Sequence, residues 1–183
     1  MKNPEKLIII TGPSGVGKGT VVKNILSKDK NIWLSISATT RKPRKGEEDG
    51  RDYYFLNLKK FEEMINKEMF LEWAEFAGNY YGTPINIIKD KIKNGYKVIL
   101  EIEVEGACQV REKFPNTISI FLLPPSKKEL ENRIRNRGTD DEKSILKRLE
   151  RADFEINSSK DFDYVLENYE INKTVDEILK IIN

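Results

Sequence analysis

The hydrophobic positions of this chain alternate between two patterns. Leu7-Ile8-Ile9-Ile10-Thr11 is a short, β-branched, continuously apolar run closed by Gly12-Pro13, and it predicts a strand buried on both faces of a parallel sheet. From Gly17 to Ser27 the apolar residues change spacing, so that Val21, Val22, Ile25 and Leu26 share one helical face. Strand, glycine-rich loop and helix therefore follow directly on one another. Further buried strands are predicted at 97–101, 118–123 and 162–166, with a short strand-like piece at 52–56. Helical spacing recurs at about 58–67, 85–93, 106–113, 127–136, 143–157 and 174–181. Pro124-Pro125 marks a sharp exit from the strand at 118–123, and Ser126 is placed to cap the next helix. Strands alternating with helices predict an α/β fold with a central, mainly parallel sheet. Ser35 to Gly82 and Asn132 to Glu155 break the alternation and read as insertions at the ligand-binding edge of that sheet.

Composition narrows the chemistry more than the fold. In 183 residues, 38% hydrophobic and 34% charged, there is enough apolar surface for one domain with a real core. The net charge of +2 gives no argument for nucleic acid or an anionic membrane surface as a partner, and neither is expected. The chain has no His, which excludes an imidazole base and His-ligated metals. One cysteine, Cys108, excludes an internal disulfide, and its expected role is a small buried hydrophobe. The apolar run at Leu7 is too short for a signal peptide or a membrane span, so the expected compartment is the cytoplasm.

The segment Gly12-Pro13-Ser14-Gly15-Val16-Gly17-Lys18-Gly19-Thr20 has the spacing of a phosphate loop. Its glycines let successive N–H groups turn toward an anion, and the following helix adds the positive end of its dipole. Lys18 is the residue expected at the terminal phosphates. Gly19 stands where a Ser or Thr usually follows the lysine, and Thr20 comes one place late. Out of context the segment also reads as a glycine-rich turn with a surface lysine; the flanking strand and helix favour the phosphate loop. Further on, Arg41 and Arg44 lie three apart around Pro43, a spacing that suits phosphate oxygens but also an ordinary solvated basic loop.

Several motifs in order carry a resemblance. They are Gly17-Lys18-Gly19-Thr20, Ser37-Ala38-Thr39-Thr40-Arg41-Lys42-Pro43-Arg44, Gly78-Asn79-Tyr80-Tyr81-Gly82-Thr83-Pro84, Glu101-Ile102-Glu103-Val104-Glu105-Gly106-Ala107 and Arg137-Gly138-Thr139-Asp140. With these the chain resembles the guanylate kinase family over essentially its whole length. The resemblance implies the phosphate-loop nucleoside monophosphate kinase fold, with a mixed α/β GMP-binding insertion and a helical lid. It implies a single domain over 1–183, with a core at about 1–34, 84–125 and 156–183, a GMP-binding region at about 35–83 and a lid at about 126–155. It implies ATP and GMP or dGMP as substrates, with Mg²⁺ accompanying ATP.

Residue by residue, the resemblance assigns the ATP phosphates to the loop from Gly12 to Thr20, Thr20 being the candidate Mg²⁺ ligand. Arg41, Arg44, Tyr53 and Tyr81 would hold the GMP phosphate. Ser37, Glu72, Thr83 and Glu103 would read guanine. Arg133, Arg137 and Arg148 would belong to the lid, and Asn168 falls near the adenine pocket. Lys18, Arg41, Arg137 and Arg148 are then the catalytic candidates. Guanine offers N1–H and N2–H₂ donors beside the O6 acceptor, which a carboxylate and a hydroxyl match and adenine does not. Such a site rejects the wrong base by factors on the order of 10⁴. The chain departs from the family at Glu103, where many members carry Asp, and at Glu105, where many carry Gln; after Asn168, in a stretch where acids are common, it has Tyr169 before Glu170. Whether Glu101 or Glu103 meets the base stays open, as Glu101 could equally serve Mg²⁺ waters. Arg151 is expected to pair with nearby acids. Two rival readings remain at this level: a kinase of AMP or a pyrimidine monophosphate, and a scaffold module that keeps the fold for protein recognition.

Overall fold

The computed structural model describes residues 7–76, 78–136 and 142–183. Its central sheet contains β1 (Leu7–Thr11), β2 (Ile32–Leu34), β7 (Lys97–Glu101), β8 (Ile118–Leu123) and β9 (Tyr164–Glu167), in the spatial order β2-β7-β1-β8-β9 with every pairing parallel. Every residue of β1 is buried, as the continuous apolar run requires of a strand covered on both faces. One face of the sheet packs on α1 (Lys18–Lys28) and α7 (Ile171–Ile182), through Val21, Val22, Ile25, Val175 and Ile178. The other packs on α3 (Ile85–Lys93) and α4 (Val104–Lys113), through Ile88, Val104, Ala107 and Val110.

A second sheet holds β3 (Ala38–Thr39), β4 (Tyr54–Phe55), β5 (Phe70–Phe76) and β6 (Asn79–Pro84), in the order β4-β3-β6-β5. It has its own small core of Ala38, Phe61, Met64 and Phe70, with α2 (Leu58–Asn66) lying across it. The chain then crosses to α5 (Lys127–Arg135) and α6 (Glu142–Asn157), which bury Leu130, Ile134, Ile145 and Ala152 against one another.

Most predicted elements appear within a few residues of their expected bounds, and Ser126 does cap α5 by accepting from the Glu129 N–H. Four expectations need correction. The strand expected at 162–166 runs from Tyr164 to Glu167, because Phe162 turns inward onto Phe121 as the cap of a 3₁₀ turn at Ser158–Asp161. The piece expected at 52–56 pairs only at Tyr54 and Phe55. The helices expected at 106–113 and 174–181 begin earlier, at Val104 and Ile171. Cys108 is exposed rather than buried, because α4 turns Val104, Ala107 and Val110 to the sheet and position 108 falls off that stripe. The strands β5 and β6 escape the hydrophobic pattern altogether. Their buried polar residues, Glu72 and Thr83, interrupt the alternation that marks a half-buried strand.

The parallel order has one consequence for chemistry. The loops leaving β1, β7 and β2 all emerge at the carboxyl edge of the sheet, with β1 in the middle, where open α/β sheets bind ligands.

Candidate active site

The loop between β1 and α1 carries three left-handed glycines, Gly12, Gly15 and Gly17. Gly17 has φ 103° at the start of α1, and a Cβ there would lie 2.8 Å from Asn168 Nδ2, so both conformation and space demand glycine. Lys18 folds back over the loop, donating to the carbonyls of Gly12 and Pro13. Thr20 stands exposed in the first turn of α1.

Beside this loop lies a cavity of about 230 Å³, roofed by the second sheet and floored by the ends of β7 and α4. Ser37, Arg41, Arg44, Tyr53 and Tyr81 reach it from the β3 side, Glu72 from β5, Glu101 and Glu103 from the end of β7, and Arg148 from α6. An adjoining cavity of about 210 Å³ is shared by Lys18, Ser37, Tyr53, Glu101 and Glu103. Seven of the eight residues expected to hold GMP therefore line one space that opens beside the phosphate loop. The eighth, Thr83, sits just behind Glu72.

The β5–β6 register explains that pair. Glu72 is directly opposite Thr83, so the Thr83 hydroxyl donates to Glu72 Oε1 at 2.6 Å. Glu72 is 5% exposed. Burial pushes its carboxyl up to about 7, while the Thr83 hydroxyl and N–H and the Lys113 ammonium pull the other way. Its second oxygen lies where a side chain on α4 would be, and Gly106 clears the space: a Cβ there would be 2.5 Å from Oε2. Glu103 occupies the cap position of α4 without using its carboxylate as a cap, which leaves that group to the cavity. Glu101 is raised by burial, with Lys18 opposing and Glu103 adding to the effect.

Arg41 is held in place by its own loop. Its two terminal nitrogens donate to Glu47 at 3.0 and 2.9 Å, and its guanidinium lies over the Tyr53 ring at 5.4 Å. Glu47 also accepts from the Arg44 N–H at 2.7 Å, so one carboxylate organises both arginines of the loop. The Arg41 fork and that N–H hold the Glu47 carboxyl below its usual range. Tyr53 meets Tyr81 edge-on at 6.1 Å, and burial raises its phenol. Glu47, which holds these two arginines together, is a residue that the sequence did not single out. Its signal was faint, an acid three places after Arg44 in an already polar loop.

The lid candidates divide. Arg148 donates to Ser14 Oγ at 2.8 Å and lines the cavity. Arg133 instead reaches behind the loop, donating to the carbonyls of Val16 and Asn168 and pairing with Glu129. Asn168 is buried there, its amide donating to Val16 O at 2.8 Å. Arg137 lies outside the described residues. Arg151 pairs with Glu105 and Glu155, as expected of it.

Comparison with known proteins identifies the family. The family model described as guanylate kinase matches residues 4–183. A guanylate kinase of Prochlorococcus marinus (strain MIT 9312) is 64% identical over 182 residues, covering 100% of this chain and 99% of the relative. One of Halalkalibacterium halodurans is 53% identical over 176 residues, covering 96% and 86%. Among solved structures, guanylate kinase from Anaplasma phagocytophilum superposes with a TM-score of 0.81 at 35% identity, covering 99% of this chain and 86% of its own. Shikimate kinase from Bacteroides thetaiotaomicron, at 14% identity and a TM-score of 0.51, shares the fold alone. The chain is a member of the guanylate kinase family.

Proposed function

We propose that this protein transfers the γ-phosphoryl group of ATP to GMP, and to dGMP, giving ADP and GDP or dGDP. The observation that carries the reading is one cavity with two chemistries. A buried carboxylate, Glu72, is held by Thr83 at one end, an arginine and tyrosine grip stands at the other, and Lys18 adjoins them. A phosphomonoester's second pKa is about 6, so the GMP phosphate arrives largely ionised at pH 7 and needs no strong base. That suits a chain without His. What remains is alignment and charge neutralisation.

In this reading Arg41, Arg44, Tyr53 and Tyr81 hold the acceptor phosphate, and Ser37, Glu72, Thr83 and Glu103 read the base. The loop from Gly12 to Thr20 holds the donor, with Lys18, Arg148 and Arg137 neutralising charge on the group in transit. Arg133 and Asn168 support the loop from behind at Val16. The residues present suit Mg²⁺ held mainly through nucleotide phosphates and water. Thr20 is exposed beside the loop, the Glu101 oxygens lie 3.7 and 3.9 Å from a Cβ built on Gly19, and among the described residues no cluster of three or more acidic, Cys or His groups could hold a metal alone. When bound, the ion would supply positive charge at the phosphates, with Thr20 as the protein ligand.

The regions at about 35–83 and 126–155 are proposed to close over the substrates, which shields the phosphoryl group from water. Small-angle scattering with an ATP analogue plus GMP should register compaction, and an unchanged profile would refute closure. No helix among the described residues is long and apolar enough to cross a membrane. The deciding assay couples ADP release to GMP, dGMP, AMP, CMP and UMP in turn. GMP and dGMP should dominate, and a preference for any of the other three would overturn the proposal.

A further inference from the structure

Helix α6 touches two parts of the site through residues on neighbouring turns. Arg148 donates to Ser14 in the phosphate loop. One turn later, Arg151 donates through Nη2 to both oxygens of Glu105 at 2.9 and 3.0 Å, and through Nε to Glu155 at 2.9 Å. One planar guanidinium thus joins a carboxylate of α4 to a carboxylate of its own helix, a task for which its fork is suited. Exposed ion pairs contribute little, and the Arg151–Glu105 arm, with side chains 35% and 48% exposed, is partly of that kind; the Glu155 arm is not. Glu155 is 2% exposed, and removing its cation would strand a buried carboxylate. Burial and nearby Glu103 already push the Glu155 carboxyl up, against Arg151 and Lys18.

Glu105 sits in the first turn of α4, the turn that also carries Glu103 and Gly106. Those two border Glu72 and the acceptor cavity. The Arg151 fork is therefore the link between the turn that shapes the acceptor cavity and the helix that presents Arg148 to the donor loop.

We infer that Arg151 is a positioning residue for phosphoryl transfer: by bridging Glu105 and Glu155 it sets α6 against α4 and so holds Arg148 at the phosphate loop. The inference rests on the catalytic role proposed above for Arg148. Displacements on the order of 1 Å in such a support cost up to about 10²-fold in rate.

The test is steady-state kinetics of the full chain with ATP and GMP, alongside thermal melting, for Arg151→Gln, Arg151→Lys, Glu105→Gln, Arg148→Gln and the double variant Arg148→Gln/Arg151→Gln. Arg151→Gln should lower kcat on the order of tenfold with KM for GMP within about twofold. Arg151→Lys should recover part of that loss, and Glu105→Gln should reproduce part of it. In the Arg148→Gln background, Arg151→Gln should cost less than about twofold more, since the residue it positions is already gone. A lowered Tm with unchanged kcat per folded molecule would overturn the inference, as would an equal loss in both backgrounds. If Arg148→Gln turns over normally, the catalytic reading of Arg148 fails and takes this inference with it. If Arg148→Gln is slow but Arg151→Gln is normal, only the positioning role fails.

Discussion

Replacing Glu72 by Gln should make the empty protein more stable while ruining its hold on GMP. The carboxylate is 5% exposed, and its carboxyl is raised from 4.5 to about 7 chiefly by burial. A rise of that size corresponds to roughly 3 kcal/mol. The sign follows from proton linkage: the folded state binds this proton more tightly than the unfolded chain, so ionising Glu72 erodes stability as pH rises from about 4.5 to about 7, and the full cost is present above that. Gln is nearly isosteric, still accepts from the Thr83 hydroxyl and carries no charge to desolvate. Its melting temperature should therefore exceed that of the parent at pH 8, and the gap should close toward pH 5.

GMP binding should move the other way. The Gln amide would turn an NH₂ donor toward the donors of guanine, and a charge-assisted pair would be lost. Together these are worth about 2–4 kcal/mol, or on the order of 30- to 1000-fold in affinity. Titration calorimetry with GMP and with an ATP analogue at pH 8, paired with melting curves at pH 5 and pH 8, reads both effects. GMP affinity of the parent should itself rise through about pH 7 as Glu72 ionises. Two results would refute the reasoning: a Gln variant less stable than the parent at pH 8, or equal loss of GMP and ATP affinity.

Gly106→Ala would drive a methyl group into Glu72, at 2.5 Å from Oε2, and should raise KM for GMP on the order of tenfold while leaving KM for ATP alone; an unchanged KM would show that Glu72 shifts freely. Lys18→Ala should cut kcat on the order of 10² to 10³-fold while calorimetry still detects GMP binding, and normal turnover would remove Lys18 from the chemistry. Glu47→Gln would release the bidentate hold on Arg41 and should weaken GMP binding by about three- to tenfold, because the fork must then be ordered at the moment of binding. Tighter binding in that variant would mean that Glu47 competes with the phosphate instead of preparing for it.

Much of this protein is legible along the chain because its local signals agree with its global fold. The run Leu7–Thr11 is apolar enough to be covered on both faces, and the glycines at 12, 15 and 17 adopt without strain the positive φ that the curled loop requires. The parallel sheet, the helices over it and the phosphate loop therefore follow from sequence. The resemblance to the guanylate kinase family, carried by several motifs in order, likewise pointed to Arg41, Tyr53, Glu72 and Tyr81, which line one cavity beside the phosphate loop. Other features are properties of pairs that no periodicity encodes. That Glu72 faces Thr83 depends on the β5–β6 register, with its irregularity between Phe70 and Glu72. That Glu47 grips Arg41, and Arg151 joins Glu105 to Glu155, depends on where loops and helices meet in space. Cys108 shows the same limit in reverse: a residue type that favours burial was placed outside by the helix phase of its neighbours. Sequence determined which groups this protein possesses and roughly which elements carry them. Tertiary structure alone decided which charges face one another, because hydrogen-bonded pairing needs donor and acceptor in contact and those distances are set by packing.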